Sequence, residues 1–319
     1  MVARGADSPY VNWFYVEDLP VVVDPERFDY ATCGGAYYLP KWNVHNPEVR
    51  AHLFDVTRRW TAEGIDGWRL DVPYFMNQHF WRRFRELAKG IDDDLYIVAE
   101  YWQVATDWVR GDTADGAMNY PLRDLILGLV ADRKLTPAQF ADGVRDLWTA
   151  LPPAAVPGML NLLGSHDTER LLTRCGGDTR RVRKAQALPI TSPGVPMLYY
   201  GDEVGMAGQN DPGCRGCMPW DPQAWNNSIL ETTRELLTLR RAQPELLSGA
   251  DEIVHASDGL LVRRRGTGPA SVIVAVNVSD QARPLPPLKP GLQVLFGDGA
   301  GTAPAALDGG GVLILGRRT

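Results

Sequence analysis

The stretch Gly64-Ile65-Asp66-Gly67-Trp68-Arg69-Leu70-Asp71-Val72 ends a hydrophobic run with two opposite charges. Arg69 and Asp71 are two residues apart, so on a strand their side chains leave the same face. A guanidinium beside a carboxylate keeps it ionised, which is what a carboxylate nucleophile requires. The pattern recurs. Tyr96-Ile97-Val98-Ala99-Glu100 and Met159-Leu160-Asn161-Leu162-Leu163-Gly164-Ser165-His166-Asp167 are apolar runs that also end in an acid. Any one of these acids alone reads as well as a helix N-cap or a solvated loop charge. Three acids at three strand ends, with Arg69 and His166 attached, form a constellation. On parallel neighbouring strands they converge on one rim, where (β/α)-barrel enzymes keep their chemistry.

The elements between these strands are helices. Asn46-Pro47-Glu48 supplies an N-cap, an N1 proline and a first-turn acid, followed by Val49, Leu53, Val56 and Trp60 at helical spacing and a stop at Gly64. A second helix is expected around Phe80 to Lys89. Gly90 and Asp92-Asp93-Asp94 lead into the Glu100 strand, and Ala114 to Tyr120 reads as a further short strand. Thr136-Pro137 opens a helix carrying Phe140, Val144 and Leu147, and the strand of Asp167 follows. A helix from about Thr179 to Leu188 precedes a strand at Pro196 to Tyr200, and a long helix covers about Ser228 to Arg241. About five βα units imply an α/β fold with a parallel sheet. Residues 1 to about 45 are aromatic and lack a helical period. From residue 247 the composition shifts to short β-rich runs at Gly259 to Arg264, Ser271 to Val278, Leu292 to Phe296 and Val312 to Leu315, a small antiparallel β domain.

Composition excludes several classes. The 319 residues, 45% of them hydrophobic, suffice for a sizeable core, and a net charge of -6 leaves no basic footprint for nucleic acid. The chain has no apolar run long enough to span a bilayer and no signal-peptide core at its start, so a cytoplasmic location with no membrane partner is expected. Cys214-Arg215-Gly216-Cys217 has redox or metal-like spacing. It has no second such pair, and the five histidines are scattered, so Cys33, Cys175, Cys214 and Cys217 read as ordinary reduced thiols and no metal site is assigned. Adjacency does not make Ser165-His166-Asp167 a catalytic triad, whose members must meet from separate segments. No glycine-rich phosphate loop is present.

These residues carry a resemblance. Gly67-Trp68-Arg69-Leu70-Asp71, the Glu100 strand and Ser165-His166-Asp167 resemble three signature segments of the α-amylase family, glycoside hydrolase family 13. Leu39-Pro40-Lys41-Trp42-Asn43 resembles the extra signature of its neopullulanase and cyclomaltodextrinase subgroup. Gly194-Val195-Pro196 to Gly201-Asp202-Glu203 resembles the last barrel strand, and Asp211-Pro212-Gly213-Cys214-Arg215 the subgroup's substrate-binding loop. The resemblance implies that Asp71 is the nucleophile, Glu100 the general acid/base and Asp167 the transition-state stabiliser of a retaining α-glycosidase. Beside Tyr101 and Trp102, desolvation is expected to favour the protonated form of Glu100. Arg69, His166, Trp102, Asp211 and Arg215 would contact sugar, with Trp102 offering a stacking face. The implied partners are α-glucan oligosaccharides such as maltooligosaccharides, cyclodextrins or pullulan, with some transglycosylation and a homodimer in a full-length form. Calcium is admitted by the family, with no ligand assigned; no other cofactor is implied.

The chain also departs from the family. The family's first signature, Asp-x-x-x-Asn-His on the third barrel strand, is absent, and Tyr74-Phe75 replaces the polar pair that follows the nucleophile. The expected architecture is therefore a partial (β/α)8 TIM barrel, about its last five βα units, followed by a small antiparallel β-sandwich. Residues 1–46 are the remnant of a loop-rich excursion, 47–246 the barrel portion and 247–319 the C-terminal β domain. With one cleft wall missing, this reading expects little activity from the chain by itself. The alternatives are a trehalose- or sucrose-type transglycosidase of the same family and a non-catalytic remnant.

Overall fold

The computed structural model describes residues 4–297 and 303–317. Its contacts divide the chain into two units, Met1–Tyr101 with Trp108–Asp115, and Trp102–Asp107 with Gly116–Thr319.

The first unit begins with an aromatic, loop-rich segment held by isolated bridges such as Val16 to Tyr30 and by stacking of Phe14 on Trp42. Helix α1 (Pro47–Ala62) starts where the sequence says it should. The Asn46 side chain accepts from the Glu48 N–H at 2.8 Å, and proline occupies N1. Strand β1 (Gly67–Leu70), helix α2 (Gln78–Ile91) and strand β2 (Tyr96–Ala99) complete one βαβ unit. β1 and β2 pair in parallel, with Arg69 opposite Val98 and Leu70 opposite Ala99. Gly67 is required here, because a Cβ at that position would lie 2.2 Å from the Tyr96 carbonyl oxygen. Phe80, Trp81, Phe84 and Ala88 form the buried face of α2, and Phe54 of α1 stacks on Phe80 at 5.6 Å. Asp115 fastens β2: it accepts from the Ile97 N–H at 2.8 Å and pairs with Arg85 and Lys89. Burial works against its charge, but Arg85, the Ile97 N–H and Lys89 outweigh it and hold the carboxyl below its ordinary range.

The second unit runs through strand β3 (Gly116–Ala117), helices α3 (Tyr120–Val130) and α4 (Pro137–Ala150), strand β4 (Leu160–Asn161), helices α5 (Leu171–Arg174) and α6 (Thr179–Thr191), strand β5 (Val195–Pro196) and helices α7 (Asn227–Ala242) and α8 (Pro244–Ser248). β4 and β5 are parallel, and a parallel bridge joins Met118 to Leu160. Asn119 accepts from Leu122 N–H at the start of α3 and donates to the Asn161 side chain at 2.9 Å, while Asn161 donates to the Pro193 carbonyl at 2.7 Å. These buried amides tie three strand ends together. α4 carries the capping box of Thr136 and Gln139.

Two expectations are corrected. The strands expected at Met159 to Asp167 and at Pro196 to Tyr200 are two residues each, Leu160–Asn161 and Val195–Pro196, joined by Val195 N–H to the Met159 carbonyl and Met197 N–H to the Asn161 carbonyl, and the chain leaves the ladder beyond them. The residues read as a strand at Ala114 to Tyr120 contribute only β3, and Tyr120 instead starts α3, which the sequence reading did not anticipate.

After α8 the chain is antiparallel. Strands β6 (Asp251–Ser257), β7 (Leu260–Arg265), β8 (Val272–Asn277), β9 (Arg283–Pro284), β10 (Gln293–Gly297), β11 (Ala306–Leu307) and β12 (Val312–Gly316) form a five-stranded sheet in the order β10-β12-β8-β7-β6 and a two-stranded sheet of β9 and β11. Leu260, Val262, Ile273, Ala275, Leu313, Leu315 and Leu307 pack between them with Leu285 and Leu288. Buried arginines fasten this domain to the end of α6. Arg263 pairs with Asp251 at 2.7 Å and donates to Ser192 Oγ at 3.1 Å, and Arg265 donates to the Thr191 carbonyl; Arg240 of α7 donates to the Ile190 carbonyl at 2.6 Å. The carbonyls left unpaired at a helix C-terminus are the natural acceptors for such cations. Burial still pushes Arg265 down to about 10. Among the described residues, no helix is long and apolar enough to cross a membrane.

Candidate active site

The first unit assembles Arg69, Asp71 and Glu100 at the ends of β1 and β2. Because β1 is parallel to β2 and Leu70 lies opposite Ala99, the residues that follow them, Asp71 and Glu100, leave adjacent strand ends. Arg69 Nη1 donates to Asp71 Oδ1 at 2.6 Å, as the two-residue spacing predicts. Its Nη2 lies 2.8 Å from Glu100 Oε2. One cation therefore serves two carboxylates of opposite character: the Asp71 side chain is 73% exposed, that of Glu100 only 3%. Glu100 Oε2 also accepts from the Val72 N–H at 3.1 Å. A buried carboxylate without such partners is strongly disfavoured, and the guanidinium and the backbone donor supply them. Tyr101 turns to Tyr74 and Trp108, at 5.8 and 6.0 Å between centroids. The Tyr74 hydroxyl is pushed up by burial first and then by the charges of Glu100, Tyr101 and Asp71.

In the second unit, Asp167 follows β4. Its Oδ2 lies 3.2 Å from His166 Nε2, and its Oδ1 accepts from Arg215 Nη2 at 3.2 Å. Arg215 in turn pairs with Asp211 at 2.5 Å, one helical turn earlier in the same loop. The loop is pinned beneath by Cys214, whose Sγ donates to the His166 carbonyl at 3.0 Å, and by Tyr200, whose hydroxyl donates to the Gly216 carbonyl at 2.7 Å. Asp167 N–H donates to Ser165 Oγ, which also accepts from the Tyr120 hydroxyl at 3.2 Å. Trp102 stacks on that Tyr120 ring, 3.8 Å between centroids and 9° from parallel, and the residue as a whole stays 40% exposed. Asp211 and Arg215, expected to contact sugar, are thus part of a network ending on Asp167.

Each unit also uses residues that the sequence reading passed over. Val72 and Tyr120 act through a backbone N–H and a hydroxyl that no side-chain pattern advertises. Arg170 is fully buried between the Tyr199 and Tyr200 rings, at 4.5 and 4.6 Å, and lies 3.4 Å from Asp202. Burial pushes Asp202 up to about 7 against the opposing pull of Arg170. All four cysteines are free, and among the described residues no cluster of three or more His, Cys, Asp or Glu is placed to hold a metal ion.

Comparison with known proteins bears on the family and the fold. Residues 23–245 match the family model of the alpha amylase catalytic domain. The chain is 40% identical over 289 residues to a cyclomaltodextrinase of Geobacillus thermopakistaniensis, covering 90% of this chain and 49% of that protein. It is likewise 40% identical over 257 residues to neopullulanase 2 of Thermoactinomyces vulgaris, covering 80% of this chain and 44% of that protein. Among solved structures, the ligand-free cyclic α-maltosyl-(1→6)-maltose hydrolase of Arthrobacter globiformis superposes with a TM-score of 0.91 at 45% identity, covering 100% of this chain and 70% of that one. A debranching enzyme of Nostoc punctiforme gives 0.88 at 31% identity, covering 99% and 71%. The chain spans about half the length of the curated relatives it matches. The fold class follows: a portion of a (β/α)8 barrel and a C-terminal antiparallel β-sandwich.

Proposed function

The chain belongs to the α-amylase family, and from that premise we propose that the protein hydrolyses α-glucosidic bonds of maltooligosaccharides, cyclodextrins or pullulan with retention of configuration. In this reading Asp71 attacks the anomeric carbon and forms a covalent glycosyl-enzyme. Glu100 donates a proton to the leaving glycosidic oxygen and then removes one from the incoming water. Asp167 stabilises the oxocarbenium-like transition state. His166, Trp102, Asp211 and Arg215 bind sugar rings.

The observation that carries the proposal is the shared guanidinium of Arg69, bonded at once to an exposed and a buried carboxylate. Retaining chemistry needs one carboxylate that stays ionised and a second that exchanges a proton, and their environments must differ for the roles to separate. Exposure gives Asp71 access to a sugar carbon. Glu100 is buried and keeps both Arg69 and the Val72 N–H on one oxygen, so its surroundings differ from those of the exposed Asp71. The likeness to cyclic α-maltosyl-(1→6)-maltose hydrolase favours, as a second reading, a small cyclic glucan containing 1→6 bonds. No cofactor enters either scheme, and the expected cytoplasmic location and homodimer stand as proposals with it.

The test is turnover of cyclodextrins, pullulan, maltotriose and the cyclic maltosyl-maltose by the protein, with product anomers followed by NMR. The expected first product is the α-anomer. Glu100→Gln is expected to lower kcat by about 10²- to 10⁴-fold on a natural leaving group. First release of the β-anomer, or a Glu100→Gln variant as active as the parent, would refute the assignment.

A further inference from the structure

Val72 is β-branched and precedes Pro73, two features that favour an extended backbone. Its φ of 32° and ψ of 58° nevertheless lie in the left-handed region. Arg133 and Asp258 are the other non-glycine residues with positive φ among those described, and neither is β-branched or followed by proline. Such a conformation persists only where its surroundings over-determine it, and it collects at functional sites.

Here the surroundings are explicit. On one side the Leu70 carbonyl accepts from the Glu100 N–H at 2.9 Å and locks the two strand ends together. On the other, the Val72 carbonyl accepts from the Phe75 N–H at 3.1 Å, and the Pro73 carbonyl accepts from the indole of buried Trp81 at 2.8 Å. With the chain held at Leu70 and again at Pro73, the torsions of Val72 and the tilt of the peptide joining Asp71 to Val72 are not independent. That peptide's N–H points at Glu100 Oε2, the oxygen Arg69 already holds. We infer that the left-handed turn at Val72 aims this peptide, and that Val72 is a positioning residue for both carboxylates: for Glu100 through its N–H, and for Asp71 through the shared peptide plane. The inference rests on the reading of Asp71 and Glu100 as nucleophile and acid/base. The branched Cβ makes this region costly, so it is the backbone pinned on both sides that holds the turn; glycine enters the region at little cost and is equally free to leave it.

The experiment combines amide exchange with kinetics on the parent, Val72→Gly, Val72→Ala and Glu100→Ala. The amide of residue 72 should be protected in the parent and lose about tenfold or more of that protection in Val72→Gly and in Glu100→Ala, while the amides of Phe75 and Met76 keep theirs. If Glu100→Ala does not fold, Glu100→Gln replaces it and shows a smaller loss in the same place. Val72→Gly should lower kcat about tenfold with KM within twofold and Tm within a few degrees of the parent. Val72→Ala, which keeps a Cβ, should recover most of the rate. A residue-72 amide that exchanges freely in the parent, or whose protection ignores Glu100, overturns the inference whatever the turnover. So does an unchanged kcat in Val72→Gly, or a fall in kcat matched by a fall in Tm. Failure of the underlying functional reading looks different: Glu100→Gln then turns over like the parent while the exchange pattern stands.

Discussion

Removing the Arg69 guanidinium is expected to destabilise the fold mainly through Glu100, not through Asp71, the partner its spacing announces. The two ion pairs are similar in length, 2.6 Å to Asp71 and 2.8 Å to Glu100, but not in surroundings. Asp71 is largely in water, where an ion pair contributes about 0 to 1 kcal/mol. Glu100 is buried, and a buried charge stripped of its partner typically costs about 3 to 5 kcal/mol. Arg69 itself is 35% exposed, so water screens part of this and the expected loss for Arg69→Met is about 2 to 3 kcal/mol. A double-mutant cycle by urea denaturation at neutral pH apportions it. In the Asp71→Asn background the loss should be nearly undiminished, whereas in the Glu100→Gln background it should fall to about 1 kcal/mol or less. An undiminished loss with Gln at position 100, or one abolished with Asn at position 71, would show that the exposed pair carries the energy and that the argument from burial is wrong.

Three further expectations concern the second unit. Arg263→Ala leaves Asp251 buried without its 2.7 Å partner and should cost about 3 kcal/mol or more in chemical denaturation, with far-UV circular dichroism reporting whether the sheet survives. Asp202, raised to about 7, binds its proton more tightly in the folded than in the unfolded chain; its contribution is full below the ordinary carboxylate range near pH 4 and is lost as pH rises toward 7. Asp202→Asn should therefore flatten the decline of Tm across that window, and an unaltered slope would contradict the assignment. Trp102→Ala uncovers the Tyr120 ring and removes the exposed stacking face; KM for maltooligosaccharides should rise severalfold, with a smaller change in kcat.

What the sequence revealed and what it hid have physical causes. Asn46-Pro47 and Thr136-Pro137 announced their helices because caps are local chemistry. Strands β8 and β12 were visible as apolar runs, being buried along their whole length. Helix α3 was missed because it is buried almost all round and so shows no polar stripe at helical spacing. Strand β6 was missed because both of its faces mix polar and apolar residues and its acid, Asp251, serves a buried arginine two strand-lengths away in sequence. The site divides in the same manner. Asp71 and Glu100 were legible as acids at strand ends, whereas Asp167 lies in the loop after β4 and not at its end; the bond from Arg69 to Asp71 followed from period-two geometry. The second bond of Arg69 depends on the register of β1 against β2, which the sequence does not print. The donor at Val72 ran against local preference, since Val-Pro predicts extended chain.

The account centres on Asp71 as a nucleophile that becomes covalently bound to sugar. Incubating the protein with a fluorinated α-glucosyl fluoride that forms the glycosyl-enzyme quickly and releases it slowly, followed by proteolysis and mass spectrometry, reads this directly. The account predicts one added glycosyl group on the peptide bearing Asp71, lost in Asp71→Asn. A glycosyl group on Glu100, Asp167 or another residue, or turnover of the reagent with no adduct at any stage, would contradict it.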